Sequence, residues 1–262
     1  MNVIWNIAST TVGEAIRRRV LLVILLIGVL LLSIIPALGI LSARSETSIT
    51  IGTMFAVMRG TSALIAIVLT IYMLPNEIER RTIYTILSKP VQRWQFLVGK
   101  YLGAVLALLL MIFMMTVFML LLFWVFQHPS VEKLAEIAKQ PFMYWMEMSL
   151  LAAVGMFFST FIAPLVNFFM TIGIWLVGTV LNPLYDTLSK NANTQPLMKG
   201  IATIVTNILP NFANYDTKNP IINPGQVIQN GALYNWATVG YTAMYVGILL
   251  LLSIVVFDRR EV

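Results

Sequence analysis

Residues 101–126 read YLGAVLALLLMIFMMTVFMLLLFWVF, 26 consecutive positions without a charge. About 20 apolar residues in a helix cross the roughly 30 Å of hydrocarbon in a bilayer, so this stretch can span one with tilt. Similar runs flank it. Val20 to Ser42 follows Arg17, Arg18 and Arg19 as a signal peptide would, yet its 23 residues exceed the about 7 to 15 of a cleavable apolar region. It reads as a retained anchor. Ile51 to Leu74 is a second span, interrupted by Arg59. Residues 142–183 hold 42 positions, too many for one span and right for two. Pro164, after Ser159 and Thr160, is the natural break, because proline removes a helix donor and disfavours helix in the residue before it. That gives spans at 142–163 and 165–183. A last span, Trp236 to Phe257, is closed by Asp258, Arg259 and Arg260. The expected fold is all-α: a polytopic membrane protein with six transmembrane helices in a single domain, residues 1–262.

Composition agrees and narrows the chemistry. Only 11% of the 262 residues are charged and 59% are apolar, whereas a soluble domain carries about 25% charged residues. There is no cysteine, which excludes disulfides, zinc–thiolate sites and a cysteine nucleophile, and the single histidine, His128, leaves little from which to build a metal site. Beside Pro129, His128 reads as a solvated loop residue. A Walker motif is absent: the only Gly-Lys pair, Gly99 and Lys100, is followed by Tyr101 and has Trp94 where the first glycine belongs. Neither an H-E-x-x-H sequence nor a G-x-S-x-G elbow is present.

The formal charge of +6 could indicate nucleic acid until its placement is read. Six spans put both termini on one side, with the loops after spans two and four. That side holds Arg17, Arg18, Arg19, Arg80, Arg81, Lys89, Arg93, Lys100, Arg259 and Arg260 against Glu14, Glu77, Glu79, Asp258 and Glu261, a sum of +5. The other side holds Arg44, Lys133, Lys139, Lys190, Lys199 and Lys218 against Glu46, Glu132, Glu136, Asp186 and Asp216, a sum of +1. By the positive-inside rule both termini are cytoplasmic, and no nucleic-acid partner is expected.

Outside the spans, residues 1–18 place Ile4, Trp5, Ala8, Val12, Ala15 and Ile16 at helical spacing. This is an amphipathic helix in the membrane interface with Trp5 as anchor, or else a plain extension of the first span. Residues 75–90, PNEIERRTIYTILSKP, read as a short cytoplasmic helix. Asn76 and Glu79 form a capping-box-like pair, and Pro90 stops it. Ile78, Ile83, Ile86 and Leu87 form a stripe to bury in the interface or in a partner. On the outer side, residues 131–139 read as one short polar helix, and 184–235 form a long extracytoplasmic loop. Within that loop a helix is expected between Pro196 and Pro210, with Leu197, Ile201, Ile204, Val205, Ile208 and Leu209 against the span ends, followed by an ordered loop or lid.

Arg59 and Glu147 are the ionisable residues inside spans. Such residues are costly in hydrocarbon and face the bundle interior or water. Both fall in the outer half, and they are expected to pair, either as a bridge fixing spans two and four or as a polar gate or substrate contact.

Glu77 to Gly103, EIERRTIYTILSKPVQRWQFLVGKYLG, resembles the ABC transporter permeases of the bacterial type-2 export family. The likeness rests on Glu77, Glu79, Thr82, Leu87, Ser88, Lys89, Pro90, Arg93, Gly99 and Lys100, and extends to Glu14 and Arg17, Ser159 and Thr160, ILPNFANYD in the outer loop and the basic FDRRE terminus. Arg81 departs from the glycine of many relatives. The resemblance implies a half-transporter of the bacterial inner membrane that forms a homodimer or pairs with another permease and docks two separate ATPase subunits, which carry the ATP and magnesium. This chain would bind no cofactor and would not itself be an enzyme. The short cytoplasmic helix becomes a coupling helix, with Glu77, Ile78, Glu79, Arg80, Arg81, Thr82, Tyr84, Leu87, Ser88, Lys89 and Arg93 as ATPase-coupling residues. A hydrophobic or amphipathic substrate would pass between protomers, beside spans two and five. The long final outer loop is also similar to permeases linked to copper-enzyme maturation, although the chain has no cysteine or histidine cluster for copper. A membrane scaffold that docks an ATPase, or an ion-coupled secondary transporter using Arg59 and Glu147, are the alternative functions.

Overall fold

The computed structural model describes residues 2–41, 47–75, 92–190, 208–216 and 231–259, with residues 200, 203 and 206. In chain order the elements are α1 (Asn2–Arg17), α2 (Arg19–Leu41), α3 (Thr47–Ile71), α4 (Arg93–Gln127), α5 (Val131–Ile137), α6 (Lys139–Ser159), α7 (Pro164–Lys190), a 3-10 turn (Phe212–Tyr215) and α8 (Gly231–Asp258). Five stretches are long and apolar enough to cross a membrane: α2, α3, α4, α8 and the run through α6, Leu134–Ser159; α7 is apolar from Pro164 to Val180. This is an all-α polytopic membrane protein.

Burial runs opposite to hydropathy. The least hydropathic spans, α3 and α6, are the most buried, while α2, α4 and α8 turn Leu26, Leu30, Phe113 and Leu251 outward. In a bilayer lipid tails solvate leucine as well as a protein core does, so helices associate through close packing and polar contacts. Accordingly α6 carries Ser149, Ala152, Ala153 and Gly155 into the middle of the bundle and packs against α3, α4, α7 and α8. A side chain at Gly155 would collide with Thr70 of α3, so that glycine sets how closely the two helices approach. The chain turns at residues 160–163, and α7 starts on Pro164. Asn167 Nδ2 then donates to the Gly155 carbonyl at 2.9 Å, and Thr171 Oγ1 donates to Asn167 Oδ1 at 2.8 Å, stitching α7 to α6.

The 35 residues of α4 rise about 52 Å, well beyond the roughly 30 Å of hydrocarbon. Along its first turns lies α1, a separate helix rather than an extension of α2, with a break at Arg18. Ala8, Thr11 and Ala15 face inward while Trp5 is 64% exposed. The seat is Gly99 and Gly103, a small-xxx-small pair: a Cβ at Gly103 would stand 2.7 Å from the Ala8 carbonyl oxygen, and one at Gly99 2.9 Å from Ile7 Cβ. Lys100, between these glycines, is buried and reaches Glu14 at 3.3 Å. Arg93 Nη1 donates to the carbonyls of Phe257 and Asp258 at 3.2 and 3.3 Å, with its guanidinium over the Phe257 ring. These bonds gather α1, the start of α4 and the end of α8 at one end of the bundle, that of both termini. Segment 208–216 sits at the far end.

His128 has a structural part that its sequence setting did not reveal: it ends α4 in the left-handed conformation (φ 45°), its N–H donating to the Trp124 carbonyl at 3.2 Å. Apart from Pro75, the short coupling helix expected at 75–90, carrying Glu77 through Lys89, falls outside the described residues, as does most of the helix expected between Pro196 and Pro210. Ile208 does not press its side chain on the spans as expected. That side chain is 67% exposed, and the backbone carbonyl makes the contact, accepting from Tyr245 OH at 2.6 Å.

Candidate functional site

Arg59 enters the bundle from α3 on a stretch built for open space. Gly52, Ala56 and Gly60 recur every fourth residue, which leaves one stripe of α3 almost without side chains. A Cβ at Gly60 would meet nothing within 4 Å. Across the gap stand Trp175, Leu176, Thr179 and Val180 of α7, with Tyr144 of α6 and Phe55 of α3 at the sides and Asp216 above. They enclose a cavity of about 310 Å³ between α3 and α7, at the end of the bundle away from the termini.

Beneath it, Arg59 and Glu147 form a bidentate pair: Nε donates to Oε2 at 2.9 Å and Nη2 to Oε1 at 2.7 Å. Glu147 is completely buried, and Trp175 Nε1 donates to its Oε1 at 2.9 Å. Arg59 Nη2 also donates to the Phe212 carbonyl at 3.0 Å, its Nη1 stands 3.6 Å from Asp216 Oδ2, and its Cζ lies 5.9 Å from the centre of the Trp175 ring. A charge this far from water is tolerated only when it is paired, and here both Glu147 oxygens and the Nε and Nη2 of Arg59 are hydrogen-bonded, while Nη1 faces Asp216.

Segment 208–216 brings Asp216 to the cavity and is a strap held mostly through its backbone. Asn211 N–H donates to Tyr241 OH at 2.9 Å, Tyr234 OH to the Asn214 carbonyl at 2.8 Å, and Gln140 Nε2 to the Tyr215 carbonyl at 3.0 Å. Phe212 and Tyr215 are fully buried. Tyr215 OH meets Thr242 Oγ1 at 2.7 Å, and burial pushes the phenol up, so it stays protonated. On α7, a Cβ at Gly178 would lie 2.6 Å from Phe212 Cδ2, which is why the strap can press so close.

The structure thus brings Arg59 and Glu147 together and adds Trp175, Asp216 and the Phe212 carbonyl to them. Spacing alone reveals the Gly52, Ala56, Gly60 stripe; nothing local in the sequence points Trp175 or the strap at the pair. Of the residues expected to couple to an ATPase, Arg93 is described and bonds to the end of α8, while Glu77, Ile78, Glu79, Arg80, Arg81, Thr82, Tyr84, Leu87, Ser88 and Lys89 lie outside the described residues.

The family profile described as ABC-2 family transporter protein matches residues 5–262. The chain belongs to the ABC-2 transporter family. A comparison with curated proteins finds no significant match. An ABC-2 protein is the membrane permease of an ABC transporter and works with separate ABC ATPase subunits. The ABC-2 bundle here carries a mostly apolar cavity between α3 and α7.

Proposed function

We propose that this permease is the membrane half of an ABC exporter in a bacterial inner membrane, with both termini and the 75–90 helix cytoplasmic. Two copies, or this chain and a paired permease, meet across α3 and α7, and a hydrophobic or amphipathic substrate moves along that seam. The observation that carries this reading is the cavity between α3 and α7, lined by Asp216 of the strap and founded on a buried ion pair, beside the apolar outward-facing Leu176, Val177 and Val180 of α7. The coupling helix Glu77 to Leu87 enters a groove of the ATPase, so that ATP-driven closure tilts α3 and α4, the helices on either side of it. ATP and magnesium stay on the partner subunits.

The test is to purify the chain with its ATPase subunits and measure ATP turnover in lipid. Charge reversal at Glu79 and Arg80 is expected to weaken both complex formation and turnover at least about tenfold, the scale of a few lost charged contacts at an interface. Unchanged assembly and unchanged turnover would mean that 75–90 is not the docking element.

A further inference from the structure

We propose that the cavity between α3 and α7 binds a monovalent organic cation with an apolar body, and that Asp216 is the residue that reads its charge. This deepens the reading of the cavity as the substrate path and rests on it.

Among the described residues, the charged groups at the cavity are Arg59, Glu147 and Asp216, and they sum to one negative charge. Glu147 is closed to a newcomer: it has no exposed surface, and its oxygens are taken by Arg59 Nε and Nη2 and by Trp175 Nε1. The guanidinium of Arg59 is largely taken up, with only its Nη1 left facing Asp216 at the cavity wall. Its Nε and Nη2 are bonded to Glu147 and to the Phe212 carbonyl, and the Trp175 ring lies against it. It meets the cavity already neutralised. Asp216 is the opposite case. Its side chain is 56% exposed, and its approach to Arg59, 3.6 Å, is longer than a hydrogen bond, so the carboxylate keeps acceptor capacity and lines the space.

An anion entering here would approach two carboxylates against one guanidinium in surroundings of low polarity. A cation would find an accessible carboxylate, and the low dielectric strengthens that contact. The walls suit the rest of such a ligand. Phe55, Tyr144, Trp175 and Leu176 are apolar or aromatic, and ring faces attract cations. The volume of about 310 Å³ is at the small end of ligand pockets and matches a one-ring ammonium.

The experiment uses the full chain with its ATPase subunits in lipid nanodiscs and follows binding calorimetrically. The probes are benzyltrimethylammonium, neopentylbenzene, in which carbon replaces the charged nitrogen, and phenylacetate. The cation is expected to bind at least about tenfold more tightly than its neutral isostere, the scale of one accessible charge contact. Asp216→Asn, isosteric at an exposed position, removes most of that preference, whereas Asp216→Glu keeps it. Thr179→Trp fills the cavity from α7 and abolishes binding of the cation. Equal affinity for cation and neutral probe, an unchanged preference in Asp216→Asn, or undiminished binding in Thr179→Trp overturns the proposal. So does tightest binding of phenylacetate, which makes Arg59 the reader. ATP turnover dependent on Glu79 and Arg80 judges the permease reading separately. Intact turnover without charge preference refutes the cation alone; charge preference without ATPase dependence refutes the permease reading alone.

Discussion

Removing Arg59 should do more harm than removing both members of its pair. In Arg59→Met the fully buried Glu147 keeps Trp175 Nε1 at 2.9 Å as its remaining donor and loses Arg59 Nε and Nη2. The strap loses its anchor at the Phe212 carbonyl. Breaking a buried ion pair from one side costs about 3–5 kcal/mol, because the remaining charge has neither water nor partner. Glu147→Leu strands a guanidinium that still has Phe212 O and the more distant Asp216, so its cost should be smaller, about 2–4 kcal/mol. In Arg59→Met with Glu147→Leu no charge is stranded, and what remains is an unpaired carbonyl and an unpaired indole N–H at about 1 kcal/mol or more each. The double variant should therefore be more stable than Arg59→Met alone by about 1–3 kcal/mol, with a coupling energy of at least about 3 kcal/mol, a factor of more than a hundred in the unfolding equilibrium. The assay is reversible unfolding in bicelles across the complete double-mutant cycle at constant pH. Additivity within about 0.5 kcal/mol would refute a direct energetic pair.

The exchange of Arg59→Glu with Glu147→Arg adds a sharper check. It restores opposite charges, but a carboxylate at position 59 has no N–H for the Phe212 carbonyl, and a guanidinium at 147 has no oxygen for Trp175. Partial rescue is expected, better than either single change and short of the original. If it is no better than either single change, the pairing does not act as described.

Three further outcomes follow from the packing. Gly103→Leu should unseat α1, since even a Cβ there would stand 2.7 Å from the Ala8 carbonyl; because the chain has no cysteine, an introduced Ala8→Cys should label much faster in that background. Arg93→Ala should release the last turn of α8, and hydrogen exchange near Phe257 and Asp258 should quicken about fivefold to tenfold, a loss of roughly 1 kcal/mol, with no change at the strap. The raised pKa of Tyr215 means that the unfolded phenol ionises first, so its stabilising effect is complete below about pH 10 and is lost as pH rises beyond it. Tyr215→Phe should accordingly flatten the fall in stability at alkaline pH, and an unchanged slope would mean that the phenol does not contribute.

The Leu-rich run at 101–126 announces a span because length and hydropathy are local properties, and the break at Pro164 is legible because proline acts on its own helix. The ion pair was legible for a different reason: charges in hydrocarbon need partners, and Arg59 and Glu147 were the candidates at matching depth. The family block at Glu77 to Gly103 likewise pointed to an ATPase partner. Lys100 and Arg93, by contrast, looked like parts of a positive docking face. Their partners, Glu14 and the carbonyls of Phe257 and Asp258, are on helices far away in the chain, and no periodicity points from one to the other.

By itself, then, the sequence determined that the chain is a helical membrane protein and which two charges must meet. Each of those follows from hydrocarbon thickness and the cost of an unpaired charge. Only the tertiary structure decided that the least apolar helices form the centre, that α1 rides on Gly99 and Gly103, and that the strap at 208–216 brings the half-exposed Asp216 to the cavity. A strap held mostly by its own backbone carries no side-chain pattern to read, and the close approach of two helices depends on glycines whose neighbours are chosen by the fold.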